Sequence, residues 1–217
     1  RLFAAVDSFS LPAHLFIFSG WSATCPGGPL TCKGAVTPAT SNFAWTPMAY
    51  LLDKYSVSWA WYLGQDTNNC HAYPKCPQGS GDAFTPPNWN PPPGFPYVEN
   101  NDWANLQKIG DFRSAITDGT LPDVSWVIPS EKVSEHPGKG SMRPGYNYVS
   151  NLVDQIGASS SWDSTAVFIF WDDWGGFYDH MAPTKVDGLG YGIRVPGIMI
   201  SPYAKIGFID HQVLSSD

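Results

Sequence analysis

Two adjacent aspartates, Asp172 and Asp173, directly follow an apolar run within "TAVFIFWDDWGGFYDH". The run 166–171 has the β-branched and aromatic residues that are typical of a buried strand. Neighbouring carboxylates repel each other, and burying them without a partner costs free energy. Gly175 and Gly176 allow a tight turn beside them. The pattern predicts that a divalent cation offsets the paired charge. The alternative is a solvated strand end at which one aspartate caps the following turn.

Three histidines follow predicted strands and are candidates for metal binding or proton transfer. His180 follows the aspartate pair, and His211 lies in "IDHQ". Glu135 and His136 lie in "SEHP", after the predicted strand 123–128. A neutral imidazole binds metals, and an imidazolium protonates leaving groups. Because ligand sites form where the strands of an α/β sheet end, we expect these histidines at one rim. Taken alone, each also fits a surface-loop histidine.

The segment "DSFSLPAH" offers two hydroxyl groups, Ser8 and Ser10, ahead of His14. A serine is a weak nucleophile unless a base or a metal ion activates it. The sequence has no G-x-S-x-G nucleophile elbow, which disfavours a hydrolase triad of that kind. The structural alternative for either serine is a cap at the start of a helix or turn.

The composition limits the classes of function. The 217 residues carry a net charge of −7 and only 12 Lys and Arg. This balance argues against nucleic acid as a partner, because phosphate backbones are bound by clustered basic residues. A phosphorylated substrate is still compatible with this net charge if a metal ion supplies positive charge locally. No run approaches the roughly 18 to 20 apolar residues of a membrane span. Both ends look cut, so we expect a chain truncated at both ends.

The four cysteines form two close pairs in loops that contain Pro or Gly, Cys25 with Cys32 and Cys70 with Cys76. Neither spacing matches a zinc knuckle. Four cysteines allow three connectivities, of which two local bridges are the simplest. Disulfides indicate an oxidising compartment, so we expect a secreted or periplasmic protein. Free thiols and a metal site are the alternatives.

Strands and helices alternate along the chain, which predicts an α/β class with a largely parallel central sheet flanked by helices. The predicted helices are 46–55, 108–119 and 145–158, and the predicted strands are 57–63, 123–128, 166–171 and 195–203. Residues 64–105 are rich in Pro, Gly and Asn and indicate a long excursion pinned by the second cysteine pair. We expect one domain over 1–217.

Four motifs occur together and in a fixed order: "LPDVSWVIP", "SEHP", "TAVFIFWDDWGGFYDH" and "YGIRVPGIMISPYAKIGFIDHQ". Together they resemble the bacterial phosphoesterase family of non-specific phospholipases C and acid phosphatases, in the alkaline phosphatase superfamily. The resemblance implies an alkaline-phosphatase-like fold and a metal-dependent phosphoric ester hydrolase. The implied substrates are phosphomonoesters or phospholipid head groups, with transient contact to a membrane surface.

The resemblance also implies roles for individual residues. Asp172 and Asp173 match the metal-binding aspartates, and Ser10 of "SLP" matches a nucleophile that also binds the metal. The implied reaction uses one divalent metal ion and passes through a phosphoseryl intermediate. His136 and His180 are the implied catalytic histidines, with His136 protonating the leaving alcohol. The residues assigned to substrate binding are His14, His211 and Glu135.

Two departures from the family pattern leave other functions open. The family continues with Pro-Asn-Arg after the nucleophile, whereas this chain has Pro12, Ala13 and His14. His14 is therefore the residue available for a phosphate contact. The family's Glu-Asn pair, which completes its metal site, would lie before Arg1. The alternatives are a catalytically impaired fragment with the same fold and a disulfide-stapled extracellular binding module.

Overall fold

The computed structural model describes residues 1–22, 43–64 and 85–216. The chain divides into two compact units: unit 1 comprises Arg1–Val36 and Ser164–Asp217, and unit 2 comprises Thr37–Asp163. One domain over 1–217 stays a prediction. All four cysteines, and with them both predicted disulfides, lie outside the described residues.

The described parts of the chain contain seven strands and five α-helices, besides short 3-10 helices. The strands are β1 (Leu2–Phe3), β2 (Trp59–Leu63), β3 (Leu106–Lys108), β4 (Val124–Ile128), β5 (Val167–Phe170), β6 (Gly197–Ile200) and β7 (Leu214–Ser215). The helices are α1 (Ser10–Ser19), α2 (Met48–Lys54), α3 (Pro96–Asn101), α4 (Ile109–Asp118) and α5 (Met142–Gly157). Within the described ranges, no helix has the length and apolarity needed to cross a membrane.

Unit 2 is built on a parallel sheet in the order β3–β2–β4. All five residues of the central strand β2 are buried. A parallel strand covered on both faces is expected to be continuously apolar, as "WAWYL" is. Trp61 of β2 lies opposite Trp126 of β4. Helix α4 covers the sheet, and the Phe112 and Tyr62 rings have centroids 5.0 Å apart. The predicted strands 57–63 and 123–128 are thereby confirmed.

The predicted helices of unit 2 are confirmed, with small shifts at their ends. Helix α4 ends at Asp118, and Gly119 closes it in the left-handed conformation at φ 68°. Glycine favours this position because it has no Cβ to clash with the backbone. Helix α5 begins at Met142 rather than at 145, with Pro144 in its first turn. Proline is tolerated there because the first turn has no intrahelical partner for its missing N–H.

Unit 1 contains two small sheets. Strand β1 pairs in parallel with β7, and β5 pairs antiparallel with β6. The α/β class is confirmed, but in the described parts of the chain three separate sheets replace the predicted single central sheet. The β5–β6 pair also departs from the predicted parallel pattern. Short apolar runs do not encode strand direction, because parallel and antiparallel strands bury the same residue types. The alkaline-phosphatase-like arrangement stays a prediction.

Two helices are absent from the sequence predictions. Helix α1 is apolar and buried on nearly every side, so it lacks the polar face that makes an amphipathic helix recognisable. It ends at Ser19 and is closed by Gly20, whose backbone N–H donates to the Phe16 carbonyl at 2.7 Å. Helix α3 lies inside the Pro-rich excursion and begins at Pro96, a favoured first helical residue.

Candidate active site

The N-terminus of α1 brings Ser10 into contact with Asp173. Ser10 is the first residue of α1, after the N-cap residue Phe9, so Ser10 itself is not at the cap position. The Ser10 hydroxyl donates to Asp173 Oδ2 at 3.1 Å, across 163 positions of sequence. Ser10 is only 6% exposed. Within unit 1 the structure thus joins the predicted nucleophile to one of the two predicted metal-binding aspartates.

Asp173 is held by the turn that follows β5. Its Oδ1 accepts the backbone N–H of Gly175 at 2.8 Å, an arrangement in which an aspartate side chain shapes the turn after it. Gly175 and Gly176 have φ of 58° and 82°, which only glycine adopts without strain. The turn-capping alternative therefore applies to Asp173, and its second oxygen remains directed at Ser10.

Asp172 has an oxygen that the described residues leave unsatisfied. Asp172 Oδ2 is buried and has no hydrogen-bond partner in the described part of the chain. His14 Nδ1 lies 3.4 Å away but is 2.8 Å from the Ser10 carbonyl oxygen. A carbonyl oxygen only accepts, so the Nδ1 proton is directed to Ser10. A buried, unpaired carboxylate oxygen is costly and suits an added cation or donor.

Ser10, Asp172 and Asp173 offer oxygen ligands of the kind that hard divalent cations prefer. The orphaned Asp172 Oδ2 fits such an ion. Over residues 1–22, 43–64 and 85–216, however, no group of three or more His, Cys, Asp or Glu side chains is placed to hold a metal. These three residues therefore fit part of a ligand set, and the predicted metal ion stays a prediction.

Further along the same loop, Asp179 forms a two-point ion pair with Arg194. Arg194 Nε donates to Oδ2 and Nη2 donates to Oδ1, both at 2.7 Å. These hydrogen bonds hold the pKa of Asp179 well below its usual range and raise the pKa of Arg194. His180 Nδ1 lies 3.5 Å from Asp179 Oδ1, and its side chain is 76% exposed. Sequence reasoning missed Arg194, whose one signal is a lone basic residue within "YGIRVPG".

His211 lies on the surface of unit 1. It is exposed in the segment between β6 and β7, where Asp210 Oδ1 accepts the backbone N–H of Gln212 at 2.8 Å. The structure therefore places His180 and His211 in two different segments of unit 1. Their predicted convergence with His136 stays a prediction.

His136 and Glu135 belong to unit 2 and lie in the loop after β4. The His136 ring stacks on Trp89, with centroids 5.7 Å apart and planes inclined by 28°. Glu135 has a φ of 62°, a left-handed backbone that costs roughly 1–2 kcal/mol for a residue with a Cβ. Its Oε2 is buried and finds no hydrogen-bond partner within the described ranges. Such backbone positions persist where the surroundings impose them, often at functional sites.

Comparisons with known proteins extend the resemblance. The family model described as "Phosphoesterase family" matches residues 1–217. The chain is 26% identical over 248 residues to "Non-hemolytic phospholipase C" of Pseudomonas aeruginosa, covering 93% of this chain and 33% of that protein. It is 26% identical over 229 residues to "Phospholipase C A" of Mycobacterium tuberculosis, covering 90% of this chain and 42% of that protein.

A plant protein is similar over a shorter stretch. The chain is 28% identical over 140 residues to "Non-specific phospholipase C3" of Arabidopsis thaliana, covering 54% of this chain and 26% of that protein. The chain therefore spans less than half the length of each of these relatives. The predicted resemblance is confirmed: by a family match that extends over its whole length, this chain belongs to the Phosphoesterase family.

Proposed function

We propose that this protein is a metal-dependent phosphoric ester hydrolase in which Ser10 is the nucleophile and a phosphoseryl intermediate forms. The observation that carries the proposal is the Ser10–Asp173 hydrogen bond, together with the buried Asp172 Oδ2, which accepts no hydrogen bond from the described residues. Membership of the Phosphoesterase family supports the reaction type. Relatives named phospholipase C support a phospholipid or a smaller phosphoester as substrate.

The proposed reaction is an in-line transfer. Ser10 Oγ bonds to phosphorus as the bond from phosphorus to the leaving oxygen breaks, and water later releases phosphate or a phosphorylated head group. Asp173 fixes the direction of the Ser10 hydroxyl and, as an anion, favours loss of its proton. A divalent cation bound to Asp172, Asp173 and Ser10 would make the hydroxyl more acidic and offset charge on the phosphoryl oxygens.

Histidines complete the proposal. His14 is buried one helical turn after Ser10, on the same side of α1. Its Nδ1 is occupied by the Ser10 carbonyl, so Nε2 is the nitrogen that would donate to a substrate phosphate, a contact that requires a proton on Nε2. His136 as proton donor to the leaving alcohol, and His180 as a second catalytic histidine, are proposed from the family resemblance. His211 and Glu135 are proposed substrate contacts on the same basis.

The setting of the reaction is also a proposal. Two close cysteine pairs support an oxidising compartment, hence secretion or a periplasmic location. Phospholipase C relatives support transient contact with a membrane surface. The alternative is a catalytically impaired member or binding module, which the partial ligand set favours.

A pair of serine variants tests the nucleophile. Ser8 is a second buried hydroxyl residue of the same segment, 7% exposed, so Ser8→Ala is a matched control for Ser10→Ala. We expect Ser10→Ala to lower kcat on p-nitrophenyl phosphate and p-nitrophenylphosphorylcholine by at least about 10³-fold. Ser8→Ala should keep activity within about threefold of the wild type, as expected for a hydroxyl outside the reaction.

Two further readouts separate the outcomes. Acid quenching during turnover should leave phosphate on the peptide that contains Ser10, detectable by mass spectrometry. If Ser10→Ala kept activity close to that of the wild type, as Ser8→Ala is expected to, Ser10 would be excluded as the nucleophile. No turnover and no bound Mg²⁺, Mn²⁺, Ca²⁺ or Zn²⁺ in the wild-type chain would favour the impaired or binding alternative.

A further inference from the structure

Three contacts fix the His136 side chain and its backbone. One face of the imidazole stacks on the Trp89 indole. Nδ1 lies 2.8 Å from the Pro137 carbonyl oxygen, and the His136 backbone N–H donates to Ser134 Oγ at 3.1 Å. Because a carbonyl oxygen only accepts, Nδ1 carries a proton in this contact. In the neutral ring Nε2 is then the unprotonated nitrogen.

Trp89 is a rigid support for that ring. It is 6% exposed, whereas His136 is exposed. It ends the short 3-10 helix Pro87–Trp89, and its backbone N–H donates to the Pro86 carbonyl at 2.9 Å. Prolines before it hold φ near one value. The indole therefore covers one face of the imidazole from a position that has little freedom to move.

The backbone around His136 is fixed as well. The His136 carbonyl accepts the N–H groups of Lys139 and Gly140 at 3.1 and 2.9 Å. Before it, the strained Glu135 packs so closely on Gly145 of α5 that a Cβ there would overlap Glu135 Cγ. These contacts hold the backbone on both sides of His136, and so fix the position from which its side chain reaches Trp89.

We propose that Trp89 is the positioning residue for His136, holding the imidazole with Nε2 as the nitrogen open to proton transfer. No hydrogen-bond partner of Nε2 is found among the described residues. The proposal rests on the proposed role of His136 as proton donor. When imidazolium Nε2–H protonates the leaving oxygen, the ring returns to the neutral Nδ1–H form, the form that the Pro137 carbonyl stabilises.

The experiment compares Trp89→Leu, Trp89→Phe and the control Trp162→Leu, which removes a partly buried tryptophan elsewhere in unit 2. NMR of the imidazole, assigned from its loss in His136→Gln, is the first readout. The wild type should show ring-current shifts of the His136 protons and nitrogen shifts of the Nδ1–H form. Trp89→Leu should lose both, whereas Trp89→Phe and Trp162→Leu should keep them.

Kinetics supply the second readout. In Trp89→Leu we expect kcat to fall by about tenfold or more with KM changed less than about threefold, because a misplaced acid acts mainly in the transition state. Trp89→Phe should restore most of kcat. Unchanged His136 spectra in Trp89→Leu, or wild-type kcat after the ring-current shifts are lost, would overturn the proposal. A wild type without turnover would contradict the proposed function, while the spectra alone would still show whether Trp89 orients His136.

Discussion

Asp172 and Asp179 lie in the same segment after β5, but their hydrogen bonding differs. Both oxygens of Asp179 accept hydrogen bonds, whereas one oxygen of Asp172 accepts none from the described residues. Both oxygens of Asp179 accept hydrogen bonds from Arg194 at 2.7 Å. Asp172 Oδ2 is buried with no hydrogen-bond partner in the described part of the chain, next to the serine that contacts Asp173. Buried polar groups are normally satisfied, and an exception needs an explanation, such as an ion or a water molecule that the group would hold. The contrast is between a carboxylate held by an ion pair and one with an oxygen that accepts no hydrogen bond within the described ranges.

The largest expected effect comes from Asp172→Ala. We expect activity on p-nitrophenyl phosphate to fall by at least about 10³-fold. The free energy of unfolding should stay unchanged or rise by up to about 1 kcal/mol, because a costly unsatisfied oxygen is removed. Activity assays and urea denaturation followed by tryptophan fluorescence check the two parts. A marked loss of stability would instead make Asp172 a structural residue, like Asp179.

Asp179→Asn should have the opposite effect on stability: its free energy of unfolding should be lower than that of the wild type. Its loss of activity should be smaller than that of Asp172→Ala. The hydrogen bonds from Arg194 lower the pKa of Asp179 in the folded state. The stabilisation is therefore present above the unfolded pKa of about 3.9 and is lost as the pH falls through the folded pKa.

Urea denaturation at pH 3 and pH 7 measures this effect. The wild type should lose more stability than Asp179→Asn between these two values. Arg194→Lys is the companion variant, because a lysine cannot make the two-point contact. The same acid dependence in the wild type and Asp179→Asn would remove the structural role given to the ion pair.

We expect the smallest effect from a variant in unit 2. It tests whether a buried carboxylate oxygen without a hydrogen bond is enough to identify a functional site. Asp102 Oδ2 is also buried without a hydrogen-bond partner among the described residues. Burial, followed by the nearby negative charge of Asp53, raises the pKa of Asp102 from 3.8 to about 6. The folded state thus binds this proton more tightly than the unfolded chain. Stability is fully present below about pH 4 and declines as the pH rises to about 6.

Asp102→Asn should remove that decline. We expect the variant to be more stable than the wild type at pH 7.5, by about 1 kcal/mol or less because solvent screens this partly exposed group. The difference should vanish at pH 4, and activity should stay within about twofold of the wild type. Urea denaturation at both pH values is the measurement. If Asp102→Asn lost activity as Asp172→Ala is expected to, the contrast between the two kinds of carboxylate would fail.

The sequence predicts best those elements whose pattern is complete within a few residues. Strand β2 is continuously apolar, and Gly119 marks the end of α4. The sequence does not predict helix α1, because this helix is buried on nearly every side and its hydrophobic residues therefore show no helical period. The antiparallel direction of β6 could not be predicted for a different reason. Strand direction depends on the path of the whole chain, which local composition does not determine.

The residues of the candidate site also differ in how well the sequence predicts them. Asp172 and Asp173 are marked by their place after an apolar run, a local signal. The contact of Ser10 with Asp173 spans 163 positions, and only the family resemblance linked them beforehand. Arg194 and Trp89 had no such signal, because each is a single residue whose partner lies elsewhere in the chain. What escapes prediction is mainly the set of side chains that support the reactive ones.

Unit 1 is discontinuous in sequence, since unit 2 lies between its two parts. Strand β1 finds its partner in β7, pairing Leu2 with Leu214. A ribosome therefore completes unit 2 before it has made the residues that β1 and Ser10 contact. Pairings between such distant residues form slowly, because a long loop must close first. We therefore expect the Ser10–Asp173 contact to form late in folding, so that incompletely synthesised chains lack the arrangement proposed to attack phosphate esters.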